Sequence, residues 1–173
     1  QLDPTTDSFT LSAWVNIDAA SVATALVSGK NGAYGISIGT DLKPHMYFGA
    51  SSVDVVANTA LNVNTWYHLT AAFNVSEANL YINGKLDKSG TISGAPSQGS
   101  NFTIGGIGVS NYYIDGTIDE VKLYNYALTE DEVKIDNNQG SALILGSPGQ
   151  NSDGTASSSA KAYGCVPGSS ASC

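Results

Sequence analysis

Strict alternation of apolar residues with other residues is the feature that most constrains the fold of this chain. It is clearest over residues 9–17, where every second side chain is apolar: Phe9, Leu11, Ala13, Val15 and Ile17. A period of two is the repeat of an extended strand, whose side chains point alternately to opposite faces. Residues 9–17 are therefore predicted to form a strand with one face in a core.

Similar runs recur along the chain, and each is bounded by Gly, Pro, Asn or Asp, which favour turns. Further strands are predicted at 24–28, 34–38, 45–50, 53–57, 66–74, 102–104 and 117–126. Within the segment 80–86, the pair Asn83-Gly84 supplies the two positive φ angles of a type I′ hairpin turn. About ten short strands without an intervening helical pattern predict an all-β fold, an antiparallel two-sheet jelly-roll sandwich.

One short helical turn is predicted after the last strand. Thr129 is a suitable N-cap, and Glu132 follows it at the spacing of a capping box. Acidic residues in this turn also complement the positive end of the helix dipole. The turn is expected to extend no further than Ile135.

The character of the sequence changes after Asn138, where Gly, Ser, Asn and Ala dominate and aromatic residues nearly vanish. Such a segment buries too little apolar surface to offset its ordering entropy, so 138–173 is predicted to be a linker after a domain at 1–137. Only 141–145 suits a strand, which would either begin a following repeat or cover an unpaired sheet edge. Cys165 and Cys173 would close a small disulfide loop in an oxidising compartment; two free thiols are the alternative.

Charge and composition limit the partners of the chain. The 7 Lys and Arg residues against 15 Asp and Glu give a formal charge of -8, which would repel nucleic acid and anionic membranes. No segment approaches the roughly 18 apolar residues of a membrane span. Only 13% of the residues are charged, so Ser, Thr, Asn and Gly must supply surface polarity, as in many extracellular β proteins. Because the chain begins at Gln1 without a signal peptide, we expect a mature or excised part of a secreted or cell-surface protein.

Four motifs occur in a characteristic order. They are Phe9-Thr10-Leu11-Ser12-Ala13-Trp14-Val15, Trp66-Tyr67-His68-Leu69, Leu80-Tyr81-Ile82-Asn83-Gly84, and Gly116-Thr117-Ile118-Asp119-Glu120-Val121-Lys122-Leu123-Tyr124-Asn125 followed by the capped turn. Together they resemble the laminin G-like and pentraxin-like jelly rolls of the concanavalin A-like lectin/glucanase superfamily. The resemblance implies an extracellular domain that binds carbohydrate, protein or another polymer, often with calcium, although some members of the wider superfamily are hydrolases.

Asp119 is the candidate metal ligand. It alternates with Val121 and Leu123 on the last predicted strand, so its side chain is expected to point inward with theirs. A carboxylate that enters a core must be hydrogen-bonded or must coordinate a metal. A calcium site formed by Asp119 with Asp3 or Asp7 is therefore weighed against a structural carboxylate that accepts backbone N–H bonds.

His68 and His45 are the only imidazoles that a Ser-His-Asp hydrolase could use in this chain. The family resembled here places a framework His at the position of His68, and the lack of α/β alternation argues against the strand–turn–helix elbow that presents a nucleophile. Asp119 and Glu120 are adjacent, so they are expected to face opposite sides of a strand and not to form a glycosidase pair. Catalysis is therefore secondary to binding, and an esterase is favoured over a glycosidase.

Aromatic side chains are the best candidates for binding, because their rings stack on sugar rings or flat polymer surfaces. The predicted ligand-binding residues are Tyr112, Tyr113, Tyr47 and Tyr34. For the adjacent pair Tyr112-Tyr113, a loop lid packed on the sandwich is the alternative. Trp14 and Trp66 could stack in the same way, but they are assigned to the framework, either in the core or covering a sheet.

The leading interpretation is a secreted or cell-surface binding or adhesion module that recognises polysaccharide or another extracellular polymer, with calcium as a candidate cofactor. The first alternative is a small surface-acting hydrolase, esterase-like, on the same scaffold. The second is a structural repeat of a larger surface protein, whose partners are other domains of its own chain.

Overall fold

Two antiparallel sheets of five strands each make up the sandwich. The computed structural model describes residues 8–20, 23–30, 32–49, 53–92, 101–106 and 112–138. The elements are β1 (Ser8–Ile17), β2 (Ala25–Lys30), β3 (Tyr34–Ile38), β4 (Pro44–Phe48), β5 (Val53–Val56), β6 (Trp66–Asn74), β7 (Glu77–Ile82), β8 (Lys85–Thr91), β9 (Phe102–Ile104), β10 (Gly116–Tyr124) and α1 (Glu130–Asn138). Sheet A has the order β10-β1-β6-β7-β8, and sheet B has the order β5-β4-β3-β2-β9. The predicted two-sheet antiparallel architecture is confirmed.

The hairpin predicted around Asn83-Gly84 joins β7 to β8. Both turn residues have positive φ, 50° at Asn83 and 75° at Gly84, as a type I′ turn requires. The two strands pair from Ile82 and Lys85 at the turn to Glu77 and Thr91 at the far end, well beyond the predicted segment 80–86. The turn therefore sets the register of a hairpin longer than its sequence signal.

The inner faces of the two sheets meet in one aromatic core. The ring of Phe9 lies with its centroid 4.4 Å from Phe73 in sheet A and 4.8 Å from Tyr34 in sheet B. Phe48 of sheet B stacks on Phe9 with the centroids 6.5 Å apart. The alternation over 9–17 thus buries one face of β1 between the sheets, as predicted.

A β-bulge in β10 interrupts the alternation of its side chains. β1 pairs Ser12 with Lys122 but Trp14 with Asp119, so two residues of β10 oppose a single residue of β1. Glu120 takes up the irregularity with a φ of 49°, in the left-handed region. The side chains of β10 that pack against the core are Ile118, Val121 and Leu123.

The bulge decides where the side chain of Asp119 points. Because it pairs with Trp14, whose neighbours Ala13 and Val15 are in the core, Asp119 faces outward from sheet A and is exposed. The predicted inward orientation of Asp119 is therefore wrong, since one extra residue in the strand exchanges the two faces.

Helix α1 packs on the outer face of sheet A and begins at the predicted capping box. The Glu132 carboxylate accepts the Thr129 N–H at 2.8 Å, and the Thr129 hydroxyl accepts the Glu132 N–H at 3.3 Å. The helix extends to Asn138, beyond the predicted limit at Ile135. Near its end the side chain of Asn137 lies against Gly84, so α1 ends beside the β7–β8 turn. In the part of the chain that the structure describes, no helix is long and apolar enough to cross a membrane.

Replacing Thr129 with alanine is expected to destabilise the domain by about 1 kcal/mol, because the first turn of α1 loses its cap. Urea unfolding would measure the loss. Thr129→Ser keeps the capping oxygen and should retain most of the stability. Equal losses in the two variants would show that the methyl group of Thr129, and not its capping hydroxyl, stabilises the domain.

Candidate functional site

Two tryptophans and two carboxylates line an open cavity of about 230 Å³ on the outer face of sheet A. They are Trp14 of β1, Trp66 of β6, and Asp119 and Glu120 of β10. These three strands are neighbours, in the order β10-β1-β6, and Trp14 pairs directly with Asp119. We call these four residues the tryptophan site.

The two indoles differ in how much of each ring solvent can reach. Trp14 is half-buried, and its ring centroid lies 5.2 Å from that of the buried His68. Trp66 is 43% exposed. A framework role suits the half-buried Trp14, whereas the exposure of Trp66 keeps it a candidate for stacking on a ligand. Trp66 presents a flat apolar surface to solvent at the start of a rigid strand.

The bulge at Glu120 brings both carboxylates to the same cavity. Asp119 Oδ1 accepts the backbone N–H of Glu120 at 2.7 Å, and Glu120 Oε2 lies 3.1 Å from Lys122 Nζ. The expectation that these two residues face opposite sides is therefore wrong. Both carboxylates are exposed, so they are suited to accept hydrogen bonds from hydroxyl groups, whereas a general acid needs a carboxyl in a dry environment.

His68 belongs to a buried network beneath α1. It is 1% exposed, and its Nε2 lies 3.3 Å from Asp136 Oδ2. Lys122 Nζ and Tyr124 OH donate to Asp136 Oδ1 at 2.9 and 2.8 Å. Burial alone would raise the pKa of Asp136, but the nearby His68 and Ser12 and the hydrogen bonds from Lys122 and Tyr124 lower that pKa well below its usual range. The network fixes α1 to β6 and β10, and it seals His68 from any substrate.

His45 lies on the outer face of the other sheet, so the structure does not bring the two histidines together. Its Nδ1 lies 2.9 Å from an Asp54 carboxylate oxygen. Ser37 of β3 lies directly opposite His45 of β4. However, Ser37 is 5% exposed, and within the described residues no hydrogen bond joins its hydroxyl to His45. A carboxylate–imidazole pair is present, but an accessible nucleophile beside it is not found in the described part of the chain.

The four predicted ligand-binding tyrosines lie in three separate places. Tyr34 is 1% exposed and packs in the core, so its ring cannot stack on a ligand and its assignment is corrected. Tyr47 lies on the outer face of sheet B, where its hydroxyl donates to Lys30 O at 2.9 Å and burial raises its pKa. Tyr112 and Tyr113 are 39% and 53% exposed beside β9, so they remain candidates for contact with a ligand.

The proposed calcium ligands are not assembled by the described residues. Asp119 is at the tryptophan site, and Asp3 and Asp7 lie outside the described residues. Across the described ranges, no three His, Cys, Asp or Glu side chains are grouped to hold a metal ion. The other predictions that lie outside these ranges concern the linker after Asn138, the strand at 141–145, and Cys165 and Cys173.

A laminin G family model, described as Concanavalin A-like lectin/glucanases superfamily, matches residues 1–134. No curated protein is significantly similar in sequence. Among solved structures, a proposed carbohydrate-binding protein from Bacteroides ovatus is 22% identical, with a TM-score of 0.65; the match covers 74% of this chain and 40% of that one. The binding domain of Paraclostridial Mosquitocidal Protein 1 is 20% identical, with a TM-score of 0.64, and 83% and 39% of the two chains are covered.

A third structure is covered over most of its length. It is domain 4 of AbnA, a GH43 extracellular arabinanase from Geobacillus stearothermophilus, in complex with arabinotriose. The identity is 26% and the TM-score is 0.59, over 79% of this chain and 70% of that domain. The chain thus spans less than half of the first two proteins but more than two thirds of the arabinanase domain.

Proposed function

Since the chain belongs to a laminin G family of the concanavalin A-like lectin/glucanase superfamily, we propose that it is a non-catalytic module that binds polysaccharide through the tryptophan site. The observation that carries the proposal is the 43% exposed indole of Trp66 beside two exposed carboxylates. A sugar ring has an apolar C–H face, on which an indole stacks. It also has a rim of hydroxyls, which donate hydrogen bonds to carboxylates. The similarity to the arabinanase domain seen with arabinotriose supports a saccharide as the ligand.

The shape of the site favours a polymer. Its four side chains lie on three neighbouring strands of an open sheet face, whereas a site for a small molecule encloses most of its ligand. An open face can contact a chain at any point along its length. We therefore propose an extracellular polysaccharide as the partner, which makes the module part of a secreted or cell-surface protein.

Retention by polysaccharides tests the proposal. The protein would be run through native gels that contain arabinan, xylan, mannan or mixed-linkage glucan, and reducing ends would be measured in parallel. We expect retardation by at least one neutral polysaccharide without release of reducing ends. If neither these polymers nor other neutral polysaccharides retard the protein, the proposed function is overturned.

The hydrolase alternative depends on His45, the histidine that solvent can reach. Turnover of a chromogenic ester or release of reducing ends, lost in His45→Ala, would replace the binding proposal by an enzymatic one. We expect no turnover, because Ser37, the serine opposite His45, is 5% exposed.

Calcium assistance stays a separate prediction. Calcium takes roughly six to eight oxygen ligands, and the two carboxylates of the tryptophan site can supply only some of them. The others would be backbone carbonyls, water molecules, or side chains outside the described residues such as Asp3 or Asp7. If calcium binds there, calcium at ten times its Kd should raise the Tm by roughly 4 °C. A Tm that is the same in calcium and in EDTA would remove calcium from the proposal.

A further inference from the structure

We infer that the binding surface continues from the tryptophan site along β10 to helix α1, and that it takes a linear, uncharged glycan chain. This inference rests on the proposed function. It concerns a second cavity, the way in which the two cavities are joined, and the charge of their walls.

The second cavity lies between β10 and α1 and has a volume of about 380 Å³. Tyr124, Tyr126 and Ile135 are among its walls, and the last two are 46% and 54% exposed. The rings of Tyr124 and Tyr126 are 6.0 Å apart and nearly perpendicular, at 73°. An exposed tyrosine ring beside an exposed aliphatic side chain forms an apolar wall on which a further sugar ring can stack.

Lys122 joins the two cavities. It lines the second cavity, and its Nζ lies 2.9 Å from Asp136 there and 3.1 Å from Glu120 at the tryptophan site. From Asp119 to Tyr126 the backbone covers on the order of 20 Å at the rise of a β-strand. That length exceeds a single sugar ring, so several consecutive rings would lie along the strand. We call this continuous surface the β10 groove.

The charge of the groove selects against acidic glycans. Asp119, Glu120 and Glu132 bring negative charge to its walls, and Lys122 is the only basic side chain that lines either cavity among the described residues. Lys122 is already paired with two carboxylates. A uronic acid or sulfate group would meet this negative field without a free cation, whereas neutral hydroxyls find acceptors.

A series of oligosaccharides of increasing length, prepared from the polysaccharide that retards the protein, tests the inference by calorimetry. The wild-type Kd should tighten about tenfold from the trisaccharide to the longest oligomer that fits, and Tyr126→Ala should lose most of that gain. Trp66→Ala should weaken binding at every length. Val75→Ala is the control, because Val75 is 59% exposed at the β6–β7 turn and lines neither cavity.

Two results would overturn the inference while leaving the proposed function in place. The first concerns length: either the affinity does not depend on it, or Tyr126→Ala keeps the full gain with length, while Trp66→Ala still weakens binding. The other is equal or tighter binding, at low salt, of the same polysaccharide after carboxymethylation, which we expect to bind at least tenfold more weakly. If no oligosaccharide binds at any length, the inference falls together with the proposed function.

Discussion

Replacing Trp66 with alanine should weaken binding to the polysaccharide about 30-fold without unfolding the domain. The indole is 43% exposed, so its removal leaves no large cavity in the core. Loss of an aromatic ring on which a ligand stacks costs about 2 kcal/mol, which corresponds to that change in Kd. Calorimetric titration of the two proteins with the same polysaccharide would measure it, and thermal unfolding would confirm that the Tm is nearly unchanged.

The control for Trp66→Ala is Leu86→Ala. Leu86 is 51% exposed on β8, at the edge of sheet A opposite to β10, so its truncation removes apolar surface outside the proposed site. Its Kd should stay within twofold of the wild type. If Trp66→Ala also stays within twofold, the ligand binds elsewhere, and Tyr112 and Tyr113 become the residues to replace.

Asp136→Ala should lower the Tm by roughly 10 °C. The change removes the carboxylate that accepts from Lys122 and Tyr124 and that faces His68, so these buried or half-buried polar groups lose their partner. Removing one member of a buried ion pair costs about 3 to 5 kcal/mol, and each kcal/mol shifts the Tm by roughly 2 to 4 °C in a domain of this size. Differential scanning calorimetry measures the shift.

A carboxylate on the solvent side of the same helix provides the matched control. The side chain of Asp131 is 63% exposed and pairs with Lys134 on the helix surface. Because exposed pairs contribute little, Asp131→Ala should lower the Tm by no more than roughly 2 °C. Similar shifts for Asp131→Ala and Asp136→Ala would contradict the anchoring role of Asp136.

The contribution of Asp136 should also depend on pH in a defined direction. Its folded-state pKa lies below the unfolded value of about 3.9, so the folded state binds the proton less readily. The resulting stabilisation is present above about pH 5 and is lost as the pH falls towards the folded-state pKa. The difference in Tm between the wild type and Asp136→Asn should therefore shrink from about pH 5 to about pH 2. A difference in Tm that stays constant over this range would show that the ionised carboxylate of Asp136 is not the source of the stabilisation.

The sequence patterns that predicted the fold are local consequences of strand geometry. Alternation reports the pleat directly, so β1 could be placed from its own residues, and Asn83-Gly84 reports the φ angles of its turn. The bulge in β10 has no such signature, because the residue with the left-handed φ is Glu120 and not a glycine. A one-residue irregularity that the sequence does not announce was enough to reverse the predicted orientation of Asp119.

The candidate site was harder to predict, because exposure depends on neighbours that are distant in sequence. Trp66 looks like a framework residue in its own strand, and only the packing of β1 and β10 shows that its indole remains open. Tyr34 did carry a local signal, since it alternates with Ile36 and Ile38 and all three are buried. The length of α1 could not be read from its cap, because its last turn is held by contacts of Asp136 with other strands.

The position at which α1 ends bears on how such modules would work in series. Asn137 lies against the β7–β8 turn, and sheet A places β7 and β8 at the side opposite to β10. The described part of the chain nevertheless ends close to the groove, since Asp136 lines its second cavity and the β7–β8 turn is hydrogen-bonded to His68, two residues from Trp66. Tandem copies would therefore need a linker that carries the next copy clear of this strip, and copies that engage one polymer together would bind with an avidity above the affinity of each copy.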